Sequence, residues 1–165
     1  MDIRKGKPED IPELMRVYAA AKQYMIRNGN PDQWYGGYPD EELVAYDIEQ
    51  GRNYVVLNEG KICGCFVFII GKDPTYGYIE DGEWLNDELT YGTIHRIASD
   101  ESAPGIFDAA VDFCFSKINN LRVDTHEKNL TMQHLAKSRG FTRCGIIYIE
   151  RDNKEEPRIA YQKLI

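Results

Sequence analysis

The feature that most constrains the fold is a strand, a broadly apolar helix and a second strand that follow one another within about 35 residues. Thr93–Ala98 (TIHRIA) and Leu121–Thr125 (LRVDT) are rich in β-branched residues, and the helix between them begins near Pro104. Parallel strands need a long crossover, which is usually a helix, so this stretch predicts two parallel neighbours in one sheet. The helix is apolar over more than half of its circumference, which is typical of a helix that packs against a sheet.

Further elements are expected on both sides of this unit. They are strand 2–5, a helix that starts at Pro8 and ends before Asn28, a helix from Asp40 to Gly51, a hairpin of residues 54–57 and 62–70, a polar loop 71–90, helix 129–139, and strands 141–149 and 158–164. The order is β-α-α-β-β-β-α-β-α-β-β, which predicts an α/β (or α+β) fold with one mixed central sheet. Without a linker or a repeat, we expect one domain over residues 1–165.

Charge and hydropathy exclude several classes of function. The chain has 20 basic and 27 acidic residues, a net charge of −7, and no basic stripe, which argues against nucleic acid as a partner. A cationic or neutral small molecule fits better. No apolar run approaches the roughly 20 residues that span a bilayer, and the N-terminus lacks an apolar signal core. The expectations are therefore a cytoplasmic location and no membrane partner.

The four cysteines lie inside apolar runs rather than in loops. This pattern is typical of free, buried thiols in a reducing compartment. Cys63 and Cys65 are two apart on a predicted strand and should face the same side, but no second Cys/His pair lies nearby to complete a metal site. We expect no metal.

A possible phosphate site follows the strand of the central unit. After Ile94–Ser99, a loop leads to Pro104-Gly105, where a helix begins. The free backbone N–H groups at such a helix start, together with the helix dipole, can hold phosphate oxygens. Many strand-to-helix turns bind nothing, so this segment alone is a weak signal.

A second stretch strengthens the hypothesis. Leu121–His126 is followed by Asn129 and, eleven residues later, by Gly140-Phe141. This spacing and the whole element order resemble the GNAT family of N-acetyltransferases. The resemblance implies that the pantetheine arm of acetyl-CoA pairs with strand-four backbone, in a gap between two splayed parallel strands, and that the pyrophosphate rests on the following loop. The implied cofactor-binding residues are Ile97, Ala98, Ser99, Ala103, Pro104, Gly105, Ile106, Phe107, Asp108, Asn129 and Met132.

The chain departs from the family pattern at two places. The phosphate loop of the family usually reads Gln or Arg, two residues, Gly, one residue, Gly or Ala, whereas Ser102–Phe107 (SAPGIF) keeps only Gly105. Many members also carry a Tyr seven residues after the helix-opening Asn, where it protonates the leaving thiolate, and here that residue is Ala136. Tyr148 and Tyr91 are candidates to replace it, as is water.

The acceptor amine must lose a proton before it can attack. His95 is the first candidate base, because imidazole titrates near neutral pH and the resemblance places its strand beside the acetyl group. A hydrogen-bonded histidine in the sheet is the structural alternative. Glu83, or its neighbours Glu80 and Asp81, could instead hold or deprotonate the amine; solvated loop charges are the simpler interpretation.

Aromatic and polar residues elsewhere are candidates for the acceptor site. Trp34 and Tyr38 lie in the connection between the first two helices, and Trp84 lies in the acidic loop. Asp124 and His126 end a strand and could contact the substrate. Their structural alternative, together with Thr125, is to cap the following helix.

The resemblance implies transfer of an acetyl group from acetyl-CoA to a primary amine by direct attack, on a small molecule or a peptide. The alternatives are a CoA- or acyl-CoA-binding module without turnover and a protein-interaction domain without a CoA site. The sequence does not name the acceptor, which could be a polyamine, amino acid, antibiotic, peptide N-terminus or lysine. If the last strand, 158–164, lies exposed, it could pair across a homodimer.

Overall fold

One seven-stranded sheet forms the centre of the protein, and the computed structural model describes residues 1–165. Its strands are β1 (Asp2–Lys5), β2 (Asn53–Asn58), β3 (Lys61–Ile70), β4 (Gly92–Ser99), β5 (Asn120–Thr125), β6 (Thr142–Arg151) and β7 (Lys154–Leu164). The helices are α1 (Ile11–Arg27), α2 (Glu41–Glu49), α3 (Ile106–Phe115) and α4 (Leu130–Ser138), with 3-10 turns at Pro8–Asp10 and Pro74–Tyr76. The predicted element order and the mixed sheet are confirmed.

The strand order is β1-β2-β3-β4-β5-β7-β6, and only β4 and β5 are parallel. The last strand begins at Lys154, four residues earlier than expected, and pairs with β5 on one side and β6 on the other. Both of its edges are therefore occupied. The expectation that residues 158–164 form an exposed strand for a homodimer is wrong, because the β6–β7 hairpin inserts β7 into the sheet.

Side-chain caps define where two helices begin. Asp40 Oδ1 accepts a hydrogen bond from the Leu43 amide at 2.8 Å, at the start of α2. At α4, Asn129 Oδ1 accepts from the Met132 amide at 3.0 Å. The helix after β5 is thus capped by Asn129 itself, not by Asp124, Thr125 or His126 as the structural alternative proposed.

Two apolar layers cover the two faces of the sheet. On one face, α1 and α2 pack against Val55, Cys65 and Ala98. On the other, α3 and α4 pack in a cluster that includes Cys63. The expectation that Cys63 and Cys65 face the same side is wrong, because the β2–β3 register shifts by one residue between them, and a one-residue shift reverses the alternation of side chains.

All four cysteines are free and buried, as predicted. Burial raises the pKa of the Cys65 thiol to about 12, so this sulfur stays protonated at neutral pH. No three His, Cys, Asp or Glu side chains form a metal-binding group. No helix has the length and apolar character that a membrane span requires.

The long connection between β3 and β4 is held against the sheet by a buried arginine. The guanidinium carbon of Arg122 lies 3.8 Å from the ring centroids of both Trp84 and Tyr91, and its Nη2 donates to the Asn86 carbonyl at 2.9 Å. Trp84 Nε1 donates to the Tyr76 carbonyl at 3.1 Å. Residues 71–91 therefore pack on the same sheet face as α1 and α2.

Candidate active site

A gap opens between the two parallel strands. β4 and β5 pair only at Gly92–Leu121 and Thr93–Arg122, near their N-terminal ends. Beyond that point the β4 backbone has no strand partner on its β5 side. A bulge in β4, where Arg96 has a φ of +47°, redirects the last residues of the strand. The result is a wedge in the sheet beside Ile97–Ser99.

A buried ion pair holds this bulge. Arg96 Nη2 donates to both carboxylate oxygens of Asp47, at 2.9 and 2.8 Å, and its Nη1 donates to the Tyr38 hydroxyl at 3.3 Å. Asp47 lies on α2 with its side chain 1% exposed, and it also accepts from Arg52. The unusual backbone conformation of Arg96 is therefore supported by a side-chain network that joins α2 to the wedge.

The first cavity, of about 450 Å³, occupies one side of the wedge. All eleven residues that the family resemblance names for acetyl-CoA line this cavity. Its walls are completed by α1 and α4, including Tyr24 and Leu135, and the Tyr24 hydroxyl hydrogen-bonds Thr131 at 2.9 Å. The cavity has the mostly apolar lining and the few polar groups that are common in sites for small molecules and cofactors.

Unpaired backbone amides line one end of the first cavity. The amides of Gly105, Ile106, Phe107 and Asp108 have no protein partner. The first backbone hydrogen bond of the helix runs from the Ala109 amide to the Gly105 carbonyl at 3.0 Å. Gly105 has a φ of +87° with open space around it, so glycine is favoured there by the backbone conformation. These amides and the helix dipole fit a diphosphate.

Two basic side chains pair with carboxylates at this end of the cavity. Arg27 of α1 pairs with Glu101 at 2.7 Å, and Arg139, after α4, lies 3.6 Å from Asp108. Both carboxylates line the cavity. The loop lacks the basic residue of the family pattern, but two arginines lie beside it.

The second cavity, of about 390 Å³, adjoins the first. The two share Met25, Ile97, Phe107, Asn129 and Met132 as lining residues. Asn129 Nδ2 donates to Gln33 Oε1 at 2.9 Å, which ties α4 to the connection between α1 and α2. A molecule in either cavity therefore lies close to the same stretch of β4.

The second cavity contains a histidine–carboxylate pair. His95 Nε2 lies 2.8 Å from Asp73 Oδ2, and both residues line the cavity. Burial alone would raise the pKa of Asp73, but hydrogen bonds from His95 and Thr75 outweigh it and hold the pKa at about 2. Because an ionised carboxylate can only accept, Nε2 carries the proton and Nδ1 is the ring nitrogen free to act as a base.

Asp124 and Arg158 also line the second cavity. Asp124 Oδ2 accepts a 2.6 Å hydrogen bond from the hydroxyl of the buried Tyr76. Trp34 and Tyr38 form part of the aromatic wall, and Trp34 packs edge-on against Tyr18 with 5.6 Å between ring centroids. Three of the five predicted acceptor residues, Trp34, Tyr38 and Asp124, are thus brought together.

The comparisons with known proteins agree with this fold. An acetyltransferase of the GNAT family from Streptococcus agalactiae is 32% identical to the chain, with a TM-score of 0.89 over 99% of this chain and 95% of that one. The chain belongs to the GNAT family of N-acetyltransferases. No protein-family model matches it, and a search of curated proteins found no match.

More distant structures share the GNAT fold. A GNAT-family acetyltransferase from Listeria monocytogenes is 17% identical, with a TM-score of 0.70 over 99% of this chain and 94% of that one. A ribosomal-protein-alanine N-acetyltransferase from Brucella melitensis is 16% identical, with a TM-score of 0.61 over the whole of both chains. At such identities these two support the fold alone.

Two predicted catalytic residues lie outside both cavities of this GNAT protein. Glu83 is exposed on the loop, and Tyr148 on β6 donates a hydrogen bond to Glu80 at a separate surface depression. Asp81 pairs with Arg143 at 2.9 Å, again outside the cavities. Ala136, which stands where many family members carry a tyrosine, is fully buried in the core.

Two predicted acceptor residues also lie outside the cavities. Trp84 is buried against Arg122 and Tyr76, where it anchors the loop. The side chain of His126 accepts from the Lys128 amide at 3.0 Å. Tyr91, the other candidate acid, stacks on Arg122, and its hydroxyl accepts from the Asp73 amide.

Sequence reasoning missed several residues that line the second cavity, above all Asp73, Arg151 and Arg158. They come from the long loop, the edge strand β6 and the inserted strand β7, and no spacing relates them to His95. The one local signal is Asp73-Pro74, which is typical of the start of a turn. The side chain of Asp73 accepts from the Thr75 amide at 2.9 Å in that turn.

Proposed function

We propose that this GNAT protein is an N-acetyltransferase that uses acetyl-CoA in the first cavity and acetylates a primary amine in the second. The observation that carries the proposal is the meeting of the two cavities at β4, with the His95–Asp73 pair on the acceptor side. The bound acetyl-CoA supplies the acetyl group as a thioester, and its C–S bond is exchanged for the C–N bond of the amide.

His95 acts as the general base in this proposal. An alkylammonium with a pKa of about 10.4 has no lone pair for attack, so a proton must leave the amine first. Nδ1 of His95 takes that proton, and Asp73 holds the ring and stabilises the imidazolium. Asp124 and Glu150 are further carboxylates in the lining of the cavity, and their negative charge favours a cationic amine before deprotonation.

Backbone groups of the wedge complete the mechanism. The unpaired side of β4 offers an amide, at Ile97 or Ser99, to the negative charge that develops on the thioester oxygen. The remaining rate acceleration comes from holding the amine beside the acetyl group. No tyrosine stands at Ala136, so the proton for the thiolate comes from water, which is adequate because a thiol of pKa about 8.5 is a tolerable leaving group.

The test is thiol release from acetyl-CoA with a panel of amines. We expect His95→Gln to lower kcat by about 10²- to 10⁴-fold, with CoA binding unchanged. His134→Gln is the matched control, because His134 is exposed and lines neither cavity. Tight CoA binding without release for any amine would show a binding module instead. If CoA at a hundred times its expected Kd gives none of the roughly 2.7 kcal/mol of stabilisation, the protein has no CoA site.

A further inference from the structure

Arg158 has an unusual environment in the wall of the second cavity. Its side chain is 2% exposed, yet the residue lines the cavity. Nη1 donates to the Pro157 carbonyl at 2.9 Å, and Nη2 donates to Glu156 at 3.2 Å. A guanidinium carries five N–H groups, so three of them have no protein partner.

The protein does not fully compensate this buried charge. Glu156 makes a single, rather long contact and is itself a quarter exposed. Burial lowers the pKa of Arg158 in spite of the nearby carboxylates of Asp124 and Glu156. A buried charge is costly unless it is paired and hydrogen-bonded. Because Arg158 lines the second cavity, an anion bound there would complete the hydrogen bonds of this guanidinium.

A second arginine of the same wall, Arg151, has no carboxylate partner at all. Arg151 Nη1 donates to the Gln33 carbonyl at 2.7 Å, and its guanidinium carbon lies 4.5 Å from the Tyr38 ring centroid. The other two arginines of the cavity, Arg52 and Arg96, are both paired with Asp47. Arg151 and Arg158 therefore supply positive charge that is not already committed to a buried carboxylate.

We propose that the acceptor is a free amino acid, whose carboxylate binds Arg158 with Arg151 alongside while its amine faces His95 and Asp124. This inference rests on the proposed function. The planar fork of a guanidinium matches a carboxylate in bidentate geometry. A cavity of about 390 Å³ suits a small molecule. A polyamine has no anionic group for these arginines and would bring positive charge against Arg158.

The experiment compares each of the twenty common amino acids with its carboxamide, and with spermidine, in the thiol-release assay. We expect kcat/KM for the best amino acid to exceed that for its carboxamide by about 10- to 100-fold. The α-amino group of a carboxamide has a lower pKa than that of the free amino acid, so more of it is unprotonated and able to attack. A faster reaction of the free acid would therefore show that the enzyme recognises the carboxylate. This comparison needs only the wild-type protein.

Two variants test whether Arg158 is the residue that recognises the carboxylate. Arg158→Gln should remove the preference by raising KM for the acid, so that the ratio of kcat/KM for acid and carboxamide falls to about one. Arg143→Gln is the matched control, because Arg143 also lies in the β6–β7 hairpin but pairs with Asp81 outside the cavity. If Arg158→Gln does not fold, the wild-type comparison decides alone.

Product binding gives a readout that needs no turnover. In the presence of CoA, the N-acetyl derivative of the preferred amino acid should raise Tm, and its carboxamide should not. Equal rates for acids and carboxamides, or a preference for spermidine, would overturn this inference and leave the proposed function standing. Absence of thiol release with every amine, together with no stabilisation by product, would overturn both.

Discussion

The ion pair between Asp47 and Arg96 is expected to be the main side-chain support of the wedge, and Asp47→Asn tests this. The substitution keeps the shape of the side chain and removes its charge. Arg96 is 14% exposed and would keep a largely buried charge without a carboxylate. Removing one partner of a buried pair costs about 3–5 kcal/mol. Arg52 is 28% exposed, and its bond to Asp47 adds only about 0.5 kcal/mol after screening.

The assay is thermal and urea unfolding of wild type and variant. In a chain of 165 residues, 1 kcal/mol corresponds to about 2–4 °C, so Asp47→Asn should lower Tm by about 6–20 °C. Asp40→Asn is the matched control on the same helix. Asp40 is the exposed N-cap of α2, and asparagine caps a helix as well as aspartate, so its Tm should stay within about 2 °C of wild type.

CoA binding provides a second readout of the same perturbation. The Asp47 network supports the positive φ of Arg96, and the next three residues line the first cavity. A relaxed bulge should therefore weaken CoA-dependent stabilisation in Asp47→Asn and leave it unchanged in Asp40→Asn. A loss of less than about 1 kcal/mol in Asp47→Asn, with normal CoA binding, would refute the reasoning and show that backbone packing alone holds the bulge.

Two further predictions concern other charged groups. The pKa of Asp73 is about 2 in the folded protein and about 3.9 in an unfolded chain. The ionised carboxylate therefore contributes about 2–3 kcal/mol to the free energy of unfolding above pH 4, and this contribution is lost as pH falls towards 2. Asp73→Asn should flatten the wild-type fall in stability between pH 5 and pH 3, measured by urea unfolding at about one-unit steps; parallel curves would contradict this. Arg122→Lys should lose the planar stack between Trp84 and Tyr91 and lower the free energy of unfolding by about 2–3 kcal/mol. It should also speed hydrogen exchange at the Leu85 amide, which donates to Gln162. Unchanged exchange would show that Gln162 alone holds the loop.

Local patterns were sufficient to predict the elements, and the family resemblance implied the wedge. The apolar spacing of α1 and the strand–helix–strand unit around α3 depend on residues close in sequence, and both appear in the structure as expected. The eleven residues named for acetyl-CoA line one cavity because they lie in consecutive stretches at the ends of β4 and β5. Their role in binding CoA remains a prediction.

The errors arose where an outcome depends on pairing over a distance. The insertion of β7 between β5 and β6 depends on which strands pair, and nothing local to residues 154–164 specifies it. A one-residue register shift separates Cys63 from Cys65, although their spacing is that of one face. Trp84 was expected in the cleft, but Arg122, 38 positions later, provides a buried cationic surface on which it stacks.

The departure of Ser102–Phe107 from the family's phosphate-loop pattern is compatible with the geometry of the first cavity. The proposed diphosphate contacts are backbone amides at the start of α3, which any residue except proline can donate. Of the motif positions, Gly105 has a positive φ that a side chain would strain, and it is the glycine that the chain retains. The positive charge of the family's basic residue has its nearest counterparts here in Arg27 and Arg139 on other elements, which pair with Glu101 and with Asp108 and Asp112 at this end of the cavity. Arg27→Gln combined with Arg139→Gln should therefore weaken CoA binding more than either change alone, and equal binding by the double variant would show that the amides suffice.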